Sequence, residues 1–182
     1  MKKTKNHIVL CGDSIFDNGS YVRGEPDVAE QVREQLPDSK VTLLAIDGNV
    51  TKDVKDQLNN LPDDATHIFI SIGGNDGIDR MDVFDQGVKT IGDAMSPLYK
   101  MRHKFENIYN KMLTHVLSYG VPTALCSVYY PRYEELGLGR MREYFGGKTN
   151  RVPIQKMAMV GLSIYNDIIT KEAFQAGLPL ID

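Results

Sequence analysis

The sequence predicts a single α/β domain, residues 1–182, built on a doubly wound parallel sheet. Short apolar, β-branched runs alternate with helical stretches and end in glycine-rich turns, the pattern that right-handed β-α-β crossovers produce. The first, third and fourth runs are almost continuously hydrophobic rather than alternating, as strands covered on both faces must be.

The strand runs are His7 to Cys11, Val41 to Ile46, His67 to Ile72, Thr123 to Val128 and Leu178 to Ile181. Between the first two, Asp27 to Leu36 reads as a helix behind Pro26, whose fixed φ suits a helix entry. Thr51 to Leu61 reads as a second, with Thr51 as its cap and Asp53 facing the positive end of the peptide dipoles. A third begins near Asp82 and runs to Leu117. A kink or break is expected at Ser96-Pro97, because proline lacks a backbone donor and disfavours helix at the preceding residue. Its second half carries Phe105, Ile108, Tyr109, Met112, Leu113, Val116 and Leu117 at helical spacing, the stripe of a core-facing helix. Pro153 to Ala176 repeats the pattern through Ile154, Met157, Gly161, Ile164 and Ile168, and Gly177 is a natural stop. The connection at 131–152, with Gly137, Gly139, Gly146, Gly147, Arg140, Arg142 and Arg151, is long enough to be a lid or binding loop, or to hold a short helix around Arg140 to Phe145.

Composition narrows the classes of partner. At 182 residues and 42% hydrophobic content the chain can bury one sizeable core. A net charge of −3 with both signs intermixed supplies no stripe to neutralise phosphates, so a nucleic-acid partner is not expected. No apolar stretch approaches the roughly 20 residues of a membrane span. The basic start, Lys2-Lys3-Thr4-Lys5, is followed by an apolar run, Ile8 to Cys11, too short for a signal peptide, and the expected setting is cytoplasmic. Cys11 and Cys126 are lone residues within apolar runs, so buried thiols are expected, with no metal site, disulfide framework or cofactor.

In an open α/β sheet the ligand site lies beyond the carboxyl ends of the strands. After the first strand comes Gly12-Asp13-Ser14, after the second Asp47-Gly48-Asn49, and after the third Gly73-Gly74-Asn75-Asp76. A serine beside glycine at a strand end can expose its hydroxyl as a nucleophile. A tetrahedral intermediate then needs donors aimed at its oxyanion, and the Ser14 N–H, the Gly48 N–H and the Asn75 side-chain amide can converge from three adjacent strand ends. Taken singly, each tripeptide is an ordinary turn. Together, in chain order and each behind its strand, they form a candidate site.

These residues are similar to the first three blocks of the SGNH/GDSL hydrolase superfamily. Gly12-Asp13-Ser14 with Asp17-Asn18-Gly19 resembles the first block, Ala45-Ile46-Asp47-Gly48-Asn49-Val50-Thr51 the second, and Ile72-Gly73-Gly74-Asn75-Asp76 the third. The resemblance implies a flavodoxin-like three-layer α/β/α sandwich and an esterase or lipase-like activity on a small-molecule ester. It also implies Ser14 as nucleophile and Gly48 and Asn75 as oxyanion-hole residues. Asp13 and Asp76 belong to the same blocks and are assigned to substrate binding, as are Tyr129 and Tyr130, which follow the fourth strand with Arg132 and Tyr133.

One part of the family's pattern has no counterpart. Its Asp-x-x-His block follows the last strand and precedes a C-terminal helix, whereas here Leu180-Ile181-Asp182 reads as that strand, and the last helix is expected to be missing. Among the four histidines, His7 and His67 begin strands and so sit at the far end of the sheet, while His103 and His115 fall in the long helix. Two other readings stay open: a non-catalytic relative that binds a small molecule in the same pocket, and a flavodoxin-like nucleotide or phosphate binder. Against the latter, no G-x-x-x-x-G-K-[ST] occurs, and Gly137-Leu138-Gly139 meets Arg142 where a third glycine is needed.

Overall fold

A computed structural model of the protein describes residues 6–132 and 154–182. Five parallel strands, β1 (His7–Gly12), β2 (Lys40–Leu43), β3 (His67–Ser71), β4 (Thr123–Cys126) and β5 (Leu180–Ile181), form one sheet in the order β2-β1-β3-β4-β5. That is the doubly wound, flavodoxin-like order, and it puts the ends of β1, β2 and β3 side by side.

Alternation along β1 divides the core into two layers. Ile8 and Leu10 face a smaller cluster with Phe16, Ala29 and Ala45, covered by helix α1 (Val28–Gln35). Val9 and Cys11 face the larger cluster, where Ile68, Ile70 and Leu125 meet helices α2 (Val54–Leu58), α4 (Ile91–Leu117) and α5 (Ile154–Ala176). A short helix, α3 (Gly74–Ile78), follows β3 directly and packs on α5. Most of the stripe expected in the long helix is present: Phe105, Tyr109, Met112, Leu113 and Val116 are buried, burial worth about 1.5–3 kcal/mol for each large apolar side chain, whereas Ile108 is half-buried and Leu117, the last residue of the helix, is exposed.

Local chemistry moves several boundaries. Asp27 caps α1 in a reciprocal box with Glu30, so the helix begins one residue later than the proline cue suggests. Thr51 does not cap a helix: residues Thr51–Asp53 form a 3-10 turn, and the Thr51 hydroxyl is spent on Asp76. The long helix starts at Ile91, where Thr90 and Asp93 form a capping box, and not at Asp82, which lies in a 3-10 turn (Met81–Asp85). Pro97 falls inside α4 without ending it. In β2 the ladder stops at Leu43 because Leu44 and Ala45 both donate to Leu10 O, a local irregularity that ends regular pairing before Ile46. Apart from Pro131 and Arg132, the expected lid at 131–152 lies outside the described residues, as do Tyr133 and Pro153.

Polar clamps tie one end of the sheet and the two long helices. Buried His7 contacts Asp64 at 2.6 Å and Thr42 at 2.8 Å, and Lys40 pairs with the same Asp64. Between α4 and α5, Arg102 bonds Glu106 and Asp167 while Lys171 bonds Glu106. The Tyr109 hydroxyl is buried and has no partner among the described residues, and burial raises its pKa. An unsatisfied buried hydroxyl costs about 1–3 kcal/mol. Tyr109→Phe, which removes only that oxygen, is therefore expected to leave the fold unchanged and raise the thermal midpoint by roughly 2–4 °C in a calorimetric scan.

Candidate active site

The site begins with a glycine that nothing else can replace. Gly12 ends β1 at φ +136°, and a Cβ there would lie 1.8 Å from Ser71 O, so the first strand can approach the third this closely only at glycine. The chain then turns around Asp13. Its N–H donates to Ser71 O at 3.1 Å, its carbonyl accepts from Phe16 and Asp17 N–H at 3.1 Å, and its Oδ1 accepts from Ile15 N–H at 3.1 Å. This turn leaves Asp13 buried and Ser14 half-buried, both on the wall of a cavity.

The second loop is a turn of Ile46 to Asn49, closed by Asn49 N–H donating to Ile46 O at 3.1 Å. Gly48, its third residue, stands at φ +81°, the value a type II turn requires there. The third loop enters through Gly73 at φ +122° and runs into α3, which carries Asn75 and Asp76.

Side-chain amides and carboxylates tie these loops together. Gln57 of α2 is buried and holds Gly12 from both sides: its Oε1 accepts from Gly12 N–H at 2.8 Å and its Nε2 donates to Gly12 O at 2.7 Å. The same Nε2 donates to Asn49 Oδ1 at 2.8 Å, joining the first loop to the second. Asp17 Oδ2 accepts from Asp47 N–H at 2.8 Å. Asn75 Nδ2 donates to Asn49 O at 2.9 Å, and Asp76 Oδ2 accepts from both the N–H and the hydroxyl of Thr51 at 2.8 and 2.9 Å, joining the second loop to the third. An amide NH2 has two hydrogens, so Asn75 keeps one for a further acceptor.

The cavity these loops border has a volume of about 500 Å³. Its polar wall includes Asp13, Ser14 and Asn75, its apolar wall includes Ile72, Phe84, Met101 and Leu162, and Tyr21, Tyr129 and Arg132 also border it. Tyr165, which also lines the cavity, lies against Phe105 with ring centroids 4.0 Å apart and planes tilted by 33°, and donates its hydroxyl to Asp76 O at 3.2 Å. Burial pushes the Asp13 carboxyl up to about 6; the Ile15 N–H bond opposes the shift, while the charges of Asp76 and Asp47 add to it. Burial also raises Asp76, against the two Thr51 bonds that favour its ionised form.

Residues 10–182 match the model of the GDSL-like Lipase/Acylhydrolase family. The chain belongs to that family. Solved structures share its fold. Phospholipase A1 from Streptomyces albidoflavus NA297 superposes with a TM-score of 0.64 at 16% identity, over 98% of this chain and 79% of that one. The extracellular lipase from Streptomyces rimosus gives 0.63 at 18% identity, over 97% and 79%. A lipase/acylhydrolase from Enterococcus faecalis gives 0.56 at 17%, over 97% and 75%. A comparison with curated proteins by sequence gives no match.

Of the residues singled out in this GDSL-family sequence, Ser14, Asn75, Asp13 and Tyr129 border one cavity. Gly48, Asp76 and Tyr130 are not on its wall: Gly48 and Tyr130 are exposed, and the Asp76 carboxylate is turned to Thr51. None of the four histidines borders it either. His7 and His67 are bonded at the opposite end of the sheet, His103 is exposed and stacks on Tyr99, and His115 meets Tyr119 edge-on in the last turn of α4. Among the described residues no group of three or more His, Cys, Asp or Glu side chains is placed to hold a metal ion, and no helix is long and apolar enough to cross a membrane.

Sequence reasoning missed Gln57, Asn166 and Tyr165. Asn166 on α5 holds Val128 on both sides, accepting from its N–H and donating to its O at 2.8 Å, as Gln57 holds Gly12. A signal was present: Gln57 lies at i+3 from Val54 on the stripe that continues through Leu58 and Leu61, and Asn166 at i+4 from Leu162 and three before Ile169. An amide on an apolar stripe needs a buried partner.

Two expectations follow from this geometry. Gln57→Met keeps the volume but strips the buried Gly12 N–H of its side-chain acceptor, and is expected to cost roughly 2–4 kcal/mol in urea unfolding, well above a surface substitution. For Asp13 the folded-state pKa lies above the ordinary 3.8, so the fold favours the protonated acid. That stabilisation is complete below pH 3.8 and is lost as pH rises through about 6. Asp13→Asn is thus expected to be more stable than the parent at pH 8 by roughly 2–3 kcal/mol, the gap closing by pH 4 in unfolding curves run across that range.

Proposed function

We propose that the protein is a serine-dependent hydrolase of ester bonds. Ser14 Oγ attacks the ester carbonyl carbon, and the negative charge that develops on the carbonyl oxygen is received by the Ser14 N–H, the Gly48 N–H and the free hydrogen of Asn75 Nδ2. Collapse of that intermediate breaks the bond to the leaving oxygen, which takes up the proton given up by Ser14, carried by solvent, and departs as the alcohol; water then cleaves the acyl group from Ser14 as the carboxylic acid and restores the hydroxyl. The observation that carries the reading is that Ser14 and Asn75 line the same cavity, in loops joined through Asn49 and Gln57. Family membership supports it. The cavity's apolar far wall, with Ile72, Met101 and Leu162, suits the hydrocarbon part of an acyl group.

Proton transfer limits the rate. A serine hydroxyl with no adjacent base is a weak nucleophile near neutral pH, and no histidine borders this cavity. Turnover by the 182-residue chain is therefore expected to be slow, resting on binding and on oxyanion stabilisation. The same observation favours a second reading, in which the cavity holds an acyl ligand without turning it over.

Hydrolysis of a short aryl ester separates the two. Ser14→Ala is expected to reduce the rate to the buffer background, and Asn75→Ala to lower kcat by roughly 10²-fold with little change in KM. A rate unaffected by Ser14→Ala removes the hydrolase reading. Saturable binding of the aryl ester itself without its hydrolysis, equal in parent and Ser14→Ala, establishes the second.

A further inference from the structure

One apolar stripe of helix α5 packs the core over its second half and lines the cavity over its first. Ile168, Ile169 and Ala173 are buried in the larger core cluster. Met157, Ala158, Gly161 and Leu162, with Tyr165 one turn on, border the cavity. The stretch from Met157 to Tyr165 rises about 12 Å at 1.5 Å per residue, which gives the length of this wall. A second wall follows the chain away from Ser14. Asn75 lies at the start of α3, Gly77 and Ile78 at its end, and Met81 and Phe84 in the 3-10 turn beyond.

The two walls meet at a glycine. Gly161 stands inside a helix of 23 residues, where glycine is the poorest residue after proline. Its backbone does not require glycine, since its φ is not positive. Phe84 supplies the reason: a Cβ at position 161 would lie 3.3 Å from Phe84 Cζ and 3.5 Å from Cε2. The tip of the ring is thus seated on the α5 backbone. Phe84 borders the cavity and is only half-buried, so its ring stands between the cavity and solvent.

An apolar cavity of about 150 Å³ holds benzene. On that scale a cavity of about 500 Å³ takes roughly 20 heavy atoms. We propose that Phe84, seated on Gly161, sets the longest straight alkyl chain the cavity admits, roughly 8–12 carbons once an ester group and part of its alcohol are also placed. Met81, Met101, Met157 and Leu162 offer such a chain no hydrogen-bond partner, and methionine adapts to a flexible shape. A hydroxylated or charged chain would lose its water there without replacement. The proposal rests on ester hydrolysis only in assigning the chain to the acyl half of the substrate.

Two readouts test it on the 182-residue chain. The first is calorimetric binding of the straight-chain primary alcohols from butanol to tetradecanol to the Ser14→Ala protein. The second is kcat/KM on the p-nitrophenyl esters of butanoic, decanoic and tetradecanoic acid, with Ser14 intact. Affinity is expected to rise about fourfold per methylene as far as decanol and to level or fall by tetradecanol. Gly161→Leu fills the wall and drives Phe84 off its seat. It should lower the decanoate-to-butanoate ratio of kcat/KM at least tenfold, and the decanol-to-butanol ratio of affinities with it. Phe84→Ala opens the wall and should move the optimum to tetradecanol. In Gly161→Leu/Phe84→Ala the leucine takes the place of the ring, and the optimum of the parent should return. Thermal midpoints identify a variant that fails to fold; should Gly161→Leu do so, Phe84→Ala decides. Affinity indifferent to chain length, or an optimum that neither single variant moves, overturns the proposal. A length profile that holds while hydrolysis ignores Ser14→Ala removes the hydrolase reading and leaves the limit standing. Ser14-dependent hydrolysis indifferent to chain length does the reverse.

Discussion

A glutamine side chain binding one glycine from both sides is the interaction on which the site depends. Where β1 runs out of regular pairing with β2, Gly12 O keeps one backbone bond, from Ile46 N–H at 3.2 Å, while the Gly12 N–H, deep in the molecule, is left without a strand partner. The Gln57 amide supplies an acceptor and a donor at 2.8 and 2.7 Å, as a strand would, and the same nitrogen reaches Asn49. A buried unpaired N–H would cost about 1–3 kcal/mol. With it paired, the end of β1 is fixed at the position from which Asp13 and Ser14 turn out toward the cavity. Asn166 repeats the device at Val128, so the strand ends on two sides of the cavity are pinned by amides from helices of the same layer.

From that anchor the remaining ties form one network. Asn75 reaches Asn49, Asp76 reaches Thr51, Asp17 reaches Asp47, and Asp13 N–H reaches Ser71. Each polar group bonds a loop other than its own, so moving one loop strains the other two. Preorganisation of this kind is what oxyanion stabilisation requires, because donors that must reorient during reaction lose much of their value. The same network explains the environment of Asp13: enclosed by Ser71, Gly74 and Ile15 and facing two other carboxylates, it is kept toward its neutral form.

Much of this was legible in the sequence. The strand runs and the residues following them carry the fold, since Gly12, Gly48 and Gly73 stand where positive φ or close backbone approach excludes a side chain. Boundaries were less so, because Thr51, Thr90 and Asp93 choose among hydrogen-bond partners that only the folded chain supplies. Thr51 has the makings of a cap and bonds Asp76 instead, while Thr90, unremarkable in the sequence, starts the longest helix. The direction of Asp76 was hidden for the same reason: a carboxylate beside Asn75 reads as part of a pocket until its partner is seen. Gln57 and Asn166 look like polar interruptions of apolar stripes, and their meaning depends on strand ends distant in the chain.

Hydrolysis by the proposed route requires Ser14, Gly48 and Asn75 to surround a single point. The most direct measurement is a crystal structure of the protein with an alkyl boronate, which forms a tetrahedral adduct on a reactive serine and imitates the intermediate of acyl transfer. A bond from Ser14 Oγ to boron is expected, with one boronate oxygen about 2.7–3.1 Å from the Ser14 nitrogen, the Gly48 nitrogen and Asn75 Nδ2, and the alkyl chain against Ile72, Met101 and Leu162. A boronate bound elsewhere, or bound to Ser14 with its oxygens in solvent and the Gly48 amide turned to another surface, would contradict it.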